Sequence, residues 1–115
     1  MSTTALIASV CNLPREFRSV GTKSVITLLR ETGYFDRHTE VSLDAIQAHL
    51  ATQPELIDDW IMYSADKRTS SGWYLIEDGT VGYYPGGPES SYEDIVTACA
   101  AFIIREVADI RRHAG

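Results

Sequence analysis

The hydrophobic period of this chain changes twice, and no all-helical or all-strand fold accommodates both changes. From about Lys23 to residue 66 the apolar residues recur at helical spacing. From Trp73 to Glu77 and from Thr80 to Tyr84 they alternate, and both runs are rich in aromatic and branched side chains, which is the signature of strands. Helical spacing then returns in Val96, Cys99, Ile103, Val107 and Ile110, with Ile95 and Phe102 widening the stripe. An isolated hairpin is marginal in water, and both faces of this one carry large apolar groups, so it must lean on the helices. The expected fold class is therefore α+β: a mostly helical bundle with at least one antiparallel β-hairpin packed against it. At 115 residues the chain fits one domain, 1–115.

Local signals place the elements. Residues 4–11 fit either a short helix or a strand, ended by Pro14. Val25, Ile26, Leu28 and Leu29 form a helical stripe that Thr22 can cap, and Gly33 suits the left-handed position past its end. Ser42 caps a second helix, with Asp44 in its first turn and Leu43, Ile46 and Leu50 on one face. Thr52-Gln-Pro-Glu55 has the form of a capping box opening a third. In that helix Leu56, Ile57, Trp60, Ile61 and Ser64 point inward, while Asp58, Asp59 and Met62 point elsewhere. Lys67 to Gly72 reads as a loop. Asp78-Gly79 suits a two-residue type I′ turn, a register that sets Ile76 against Val81, Tyr74 against Tyr83, Trp73 against Tyr84 and Leu75 against Gly82. Pro85-Gly-Gly-Pro88 is a further loop. Ser90 and Ser91, ahead of Glu93 and Asp94, form overlapping capping boxes for the last helix, which ends in Arg111, Arg112 and His113.

Charge narrows the function. Sixteen acids against ten bases give −6, and the excess sits in the middle. Residues 36–94 hold twelve acids and only Arg37, Lys67 and Arg68, a balance of −9. Such a surface repels phosphate backbones and attracts basic ones. The order of three helices and a hairpin also invites comparison with a winged helix. A DNA-binding regulator of that kind would need donors on its third helix, whereas this one offers Glu55, Asp58 and Asp59. The opening residues lack a basic region, and no run approaches the roughly 20 apolar residues of a membrane span. Cys11 and Cys99 stand far apart in the sequence and are expected as buried, reduced thiols. A cytosolic protein is expected, with no nucleic acid and no membrane among its partners.

Catalytic motifs are scarce. His38, His49 and His113 share no helical spacing and no zinc spacing with the cysteines. No phosphate-binding loop or nucleophile elbow is present, so neither a cofactor nor an enzymatic role is expected. The best enzymatic alternative is a small acidic site of Asp58, Asp59 and Asp66 beside His49. Against it stands the simpler reading of those carboxylates as a solvated face. Trp73, Tyr74, Tyr83 and Tyr84 cluster on the hairpin, and aromatic residues dominate interface energetics. The expected contact set for a basic protein partner is Asp58, Asp59, Asp66, Trp73, Glu77, Asp78, Tyr83 and Glu89.

Three segments carry a resemblance. They are Trp60-Ile-Met-Tyr-Ser-Ala-Asp-Lys-Arg-Thr-Ser-Ser-Gly-Trp-Tyr-Leu75 continuing to Val81-Gly-Tyr-Tyr-Pro85, Leu29-Arg-Glu-Thr-Gly-Tyr-Phe35, and Ala98-Cys-Ala-Ala-Phe-Ile103. Together, over about residues 25–110, they resemble bacterial immunity proteins of contact-dependent growth inhibition and related polymorphic toxin systems. The resemblance implies a protein that binds a cognate toxin domain, often a nuclease, and covers its active site. The tight Asp78-Gly79 turn is a departure from the longer connection expected in that family.

Overall fold

The computed structural model describes residues 2–67 and 71–114. The loop expected from Lys67 to Gly72 thus falls partly outside the described residues, at Arg68, Thr69 and Ser70. Its first residue ends a helix and its last begins a strand.

The opening residues resolve to helix. α1 (Thr3–Cys11) is capped by the Ser2 hydroxyl, which accepts from the Ala5 N–H at 3.1 Å. It buries Leu6, Ile7, Val10 and Cys11 along one side. Pro14 does not simply end this segment. After the single residue Asn12 it stands in the first turn of α2 (Leu13–Val20), where its missing N–H would have had no intrahelical partner. α3 (Val25–Glu31) is capped by Ser24, not Thr22. Gly33, at φ +90°, turns the chain into the short α4 (Tyr34–Arg37) and a single 3₁₀ turn, His38–Glu40.

α5 (Leu43–Thr52) has the expected Ser42 cap. Ile46 and Leu50 are fully buried, but Leu43 at the helix start is 41% exposed and off the inward face. Thr52 opens no capping box. It is the last residue of α5 and donates its hydroxyl proton to the His49 carbonyl at 2.8 Å. α6 (Glu55–Lys67) buries Leu56, Ile57, Trp60 and Ser64 as expected. Asp59, however, is also buried, at 9% exposure.

Three strands follow: β1 (Gly72–Leu75), β2 (Thr80–Tyr84) and β3 (Glu89–Ser91), antiparallel in the order β1-β2-β3. The hairpin register differs by one residue from the type I′ expectation. Trp73 pairs with Tyr83, Tyr74 with Gly82 and Leu75 with Val81. A type I′ turn needs positive φ at both central residues, but among the described residues only glycines have positive φ. The loop instead spans three residues. The Gly79 N–H donates to the Ile76 carbonyl, the Ile76 N–H donates to the Thr80 carbonyl, and Gly79 alone is left-handed at φ +95°. This is a turn closed by a glycine bulge. A Cβ at Gly79 would also sit 2.4 Å from the Tyr92 carbonyl oxygen, so the position admits only glycine. Ser90 and Ser91 belong to β3 rather than to a cap. The cap of the last helix is Asp94, whose carboxylate accepts from the Val96 N–H.

That helix, α7 (Ile95–Ala114), is the centre of the molecule. It packs against α3, α5, α6, β1 and β2. Six consecutive residues, Ala98 to Ile103, are buried, so this stretch is covered all round and not on one stripe. Four of the six are small, which lets neighbouring elements approach closely. Trp60, Tyr63 and Phe102 meet edge to face, with centroids 5.4 to 6.4 Å apart. The Trp60 indole N–H donates to the Cys11 carbonyl at 2.8 Å, satisfying an orphan acceptor at the end of α1. Ser64 accepts from the Leu75 N–H at 2.6 Å, tying β1 to α6. Helices and sheet share one apolar cluster, and the fold is α+β. Among the described residues no helix is long and apolar enough to cross a membrane.

Candidate functional site

Helix α6 carries the expected acidic residues, and the structure separates them. Asp59 faces α2. Arg15 and Arg18, one turn apart on α2, converge on it, with guanidinium nitrogens 2.8 and 2.7 Å from its two oxygens. Both arginines are about half exposed, so the pairs are screened and each contributes on the order of 1 kcal/mol or less. Their effect is geometric: they hold α2 against α6. Arg18 also reaches Met62 Sδ at 3.2 Å. One turn beyond Met62, Asp66 is exposed on the same side of α6. Asp58 is exposed and does not line this face.

Between α2, the start of α3 and α6 lies a groove of about 480 Å³, within the usual size range of ligand pockets. Pro14, Phe17, Val25, Met62 and Tyr63 supply its apolar lining, and Arg18, Ser24, Asp59 and Asp66 its polar edge. Phe17 and Met62 are 41% and 51% exposed, two of the five exposed large apolar residues among those described. Behind the groove the Tyr63 hydroxyl donates to the Glu106 carboxylate at 2.5 Å. Burial pushes the Tyr63 hydroxyl far above its ordinary range, and the adjacent Glu106 adds to the shift.

The aromatic residues divide by the sheet face they occupy. Trp73 and Tyr83, both expected contact residues, share the helix-facing side with the buried Leu75 and Val81. Their rings meet edge to face at 5.2 Å, and the Arg105 guanidinium lies 5.0 Å from the Trp73 ring. The outer face carries Tyr74, Gly82 and Tyr84. Tyr74 lies across Gly82, where a Cβ would come within 2.4 Å of its hydroxyl. The same hydroxyl donates to Glu89 at 2.6 Å. Glu77 and Asp78 project from the hairpin loop, where the Asp78 carboxylate accepts from the Thr80 N–H. Residues 71–104 contain five acids and no lysine or arginine.

The eight expected residues therefore form no single patch. Asp59 and Asp66 share the groove, Trp73 and Tyr83 share the inner sheet face, and Glu77 and Asp78 share the loop. Glu89 stands with Tyr74 on the outer face, and Asp58 stands apart. Sequence reasoning misses Phe17, Arg15 and Arg18, because their helix carries a proline in its first turn, and with them the role of Met62 on α6 opposite. It also misses Tyr74 and Tyr84 as the outward pair, because register alone decides which aromatics face out.

Cys11 and Cys99 are free thiols, both fully buried. Burial raises the Cys11 thiol to about 12 and pushes Cys99 further in the same direction, which leaves both unreactive. Among the described residues no group of three or more histidine, cysteine or carboxylate side chains is arranged to hold a metal ion. Comparison with family models, with curated proteins and with solved structures gave no match to this chain.

Proposed function

We infer that this chain is an immunity protein: it binds a basic toxin domain, most naturally a nuclease, and neutralises it by covering the active site. The observation that carries this reading is a set of exposed carboxylates without an ion-pair partner among the described residues. Asp58 and Asp66 on α6, Glu77 and Asp78 on the hairpin and Glu93 ahead of α7 are all exposed. None of them forms an ion pair among the described residues. A cleft that holds phosphate is basic, so such a surface attracts it over a distance and raises the encounter rate. Apolar contact at the centre then slows dissociation. The resemblance to immunity proteins over about residues 25–110 supports the same class of partner, and action in the cytosol belongs to this reading.

This reading requires a toxin domain encoded by an adjoining gene, and the test uses that domain. Mixed with a stoichiometric amount of this chain, it is expected to lose its activity and to bind with a salt-sensitive on-rate. The double variant Glu77→Lys, Asp78→Lys is expected to slow association and flatten the salt dependence. A toxin domain that stays fully active with this chain in excess overturns the reading.

A further inference from the structure

The groove between α2 and α6 has a polarity that selects what can lie in it. At one end the carboxylate of Asp59 is taken up by the guanidiniums of Arg15 and Arg18, so that end presents no unpaired anion. Asp66 stands seven residues further along α6, about 10 Å at helical rise. It is the one charge lining the groove that has no partner among the described residues. Between the two ends lie Phe17 and Met62, large, apolar and about half exposed. Met62 is unbranched and adapts to what it touches.

We propose that this groove receives an apolar side chain of the basic partner, with a lysine or arginine of the same segment set against Asp66. The proposal rests on the toxin-binding reading and adds the contact point. The match is one of charge and shape. The apolar wall gives the anchor a partly desolvated seat, which is where binding energy concentrates. The Asp66 end accepts the cation that a basic surface supplies, and the Asp59 end, whose carboxylate is already paired, offers it no second seat. The outer sheet face and the hairpin acids then act by steering, while the groove sets residence time.

Two measurements test it. In the first, the full chain is titrated by NMR with hexylammonium, hexanol and hexanoate, reading the Met62 methyl and Phe17 ring resonances. Hexylammonium is expected to bind best, roughly threefold more tightly than hexanol, the size of an exposed ion pair. Asp66→Asn is expected to erase that preference without changing thermal stability. Absence of shifts with all three probes overturns the groove as a seat for an apolar chain. Equal binding of all three, or tightest binding of hexanoate, overturns the charge assignment.

In the second, toxin affinity is measured for Phe17→Asp and for Ile26→Asp. Ile26 is equally exposed and lies off the groove. Phe17→Asp is expected to weaken binding about tenfold or more, and Ile26→Asp to leave it unchanged. If Phe17→Asp binds normally while the Glu77→Lys, Asp78→Lys variant does not, the groove is not the contact and the toxin-binding reading still stands. If the wild-type chain binds no toxin domain, that reading falls and the assigned occupant falls with it.

Discussion

The two faces of the sheet draw on the same residue types for opposite ends. The inner face sets Trp73 and Tyr83 edge to face beside Leu75 and Val81, which are 2% and 0% exposed. The outer face spreads Tyr74 flat over Gly82 and leaves Tyr84 51% exposed. Composition does not distinguish the two; a single-residue choice of register does, because each step along a strand moves a side chain to the other face. That choice is made at Gly79, which alone among the hairpin-loop residues takes the left-handed conformation and so lengthens the loop to three residues.

If the comparison is right, substitutions on the two faces differ in kind. The largest effect is expected from Leu75→Ala on the inner face, a loss of about 2 to 5 kcal/mol in denaturant unfolding. A loss below 1 kcal/mol would mean that the helices do not seal this side.

Gly82→Ala sharpens the outer face. The added methyl group meets the Tyr74 hydroxyl and ring at 2.4 to 3.0 Å, so the ring must swing away and leave Glu89. A cost of about 1 kcal/mol is expected. Because the clash is with Tyr74 alone, Tyr74→Ala and Gly82→Ala should be non-additive, the double variant being no less stable than Tyr74→Ala by itself. Strict additivity would place Tyr74 somewhere other than over Gly82.

Tyr84→Ala is expected to change stability by less than about 0.5 kcal/mol, as for other exposed positions. A thermal shift as large as that of Leu75→Ala would show that the outer face is buried after all.

The smallest effect is one of pH. The hydrogen bond to Glu89, followed by modest desolvation, holds the Tyr74 hydroxyl above its ordinary value of 10. A group whose pKa is raised by folding stabilises the folded state below its unfolded pKa and loses that contribution as pH rises through the folded one. Glu89→Gln should therefore bring the Tyr74 titration, followed by NMR, back toward 10 and remove a slight alkaline sensitivity above it. An unchanged titration would mean that the two side chains do not meet in solution.

Much of the fold can be read along the chain. α3, α5 and α6 show their apolar stripes, Ser42 marks a start, and α7 keeps helical spacing over its length. What escapes are features in which one local signal stands for two structures. Pro14 is as good a helix start as a helix stop, so α2 goes unseen. With α2 unseen, Asp59 looks like a surface carboxylate on the polar side of α6, and the groove that it anchors has no second wall. Ser90 and Ser91 match a capping box yet pair as strand, because the unpaired edge of β2 offers backbone partners that a cap cannot. Asp-Gly suits both a two-residue and a three-residue turn, and the positions of Trp73, Tyr74, Tyr83 and Tyr84 depend on which forms. Charge is the part of the candidate site that needs no structure: the excess of acids in residues 36–94 is a property of sequence alone.

The central place of α7 has a consequence for how the protein comes into being. Synthesis runs from the first residue to the last at about 5 to 20 residues per second. α5 is therefore complete about 3 to 12 s, and β2 about 1 to 5 s, before residue 110 of the helix against which they pack has been added. Until then Ile46, Leu50, Leu75 and Val81 have no α7 to bury them, and the contacts between α5 and α7 join segments some fifty residues apart. The nascent chain waits, open and apolar, for its keystone.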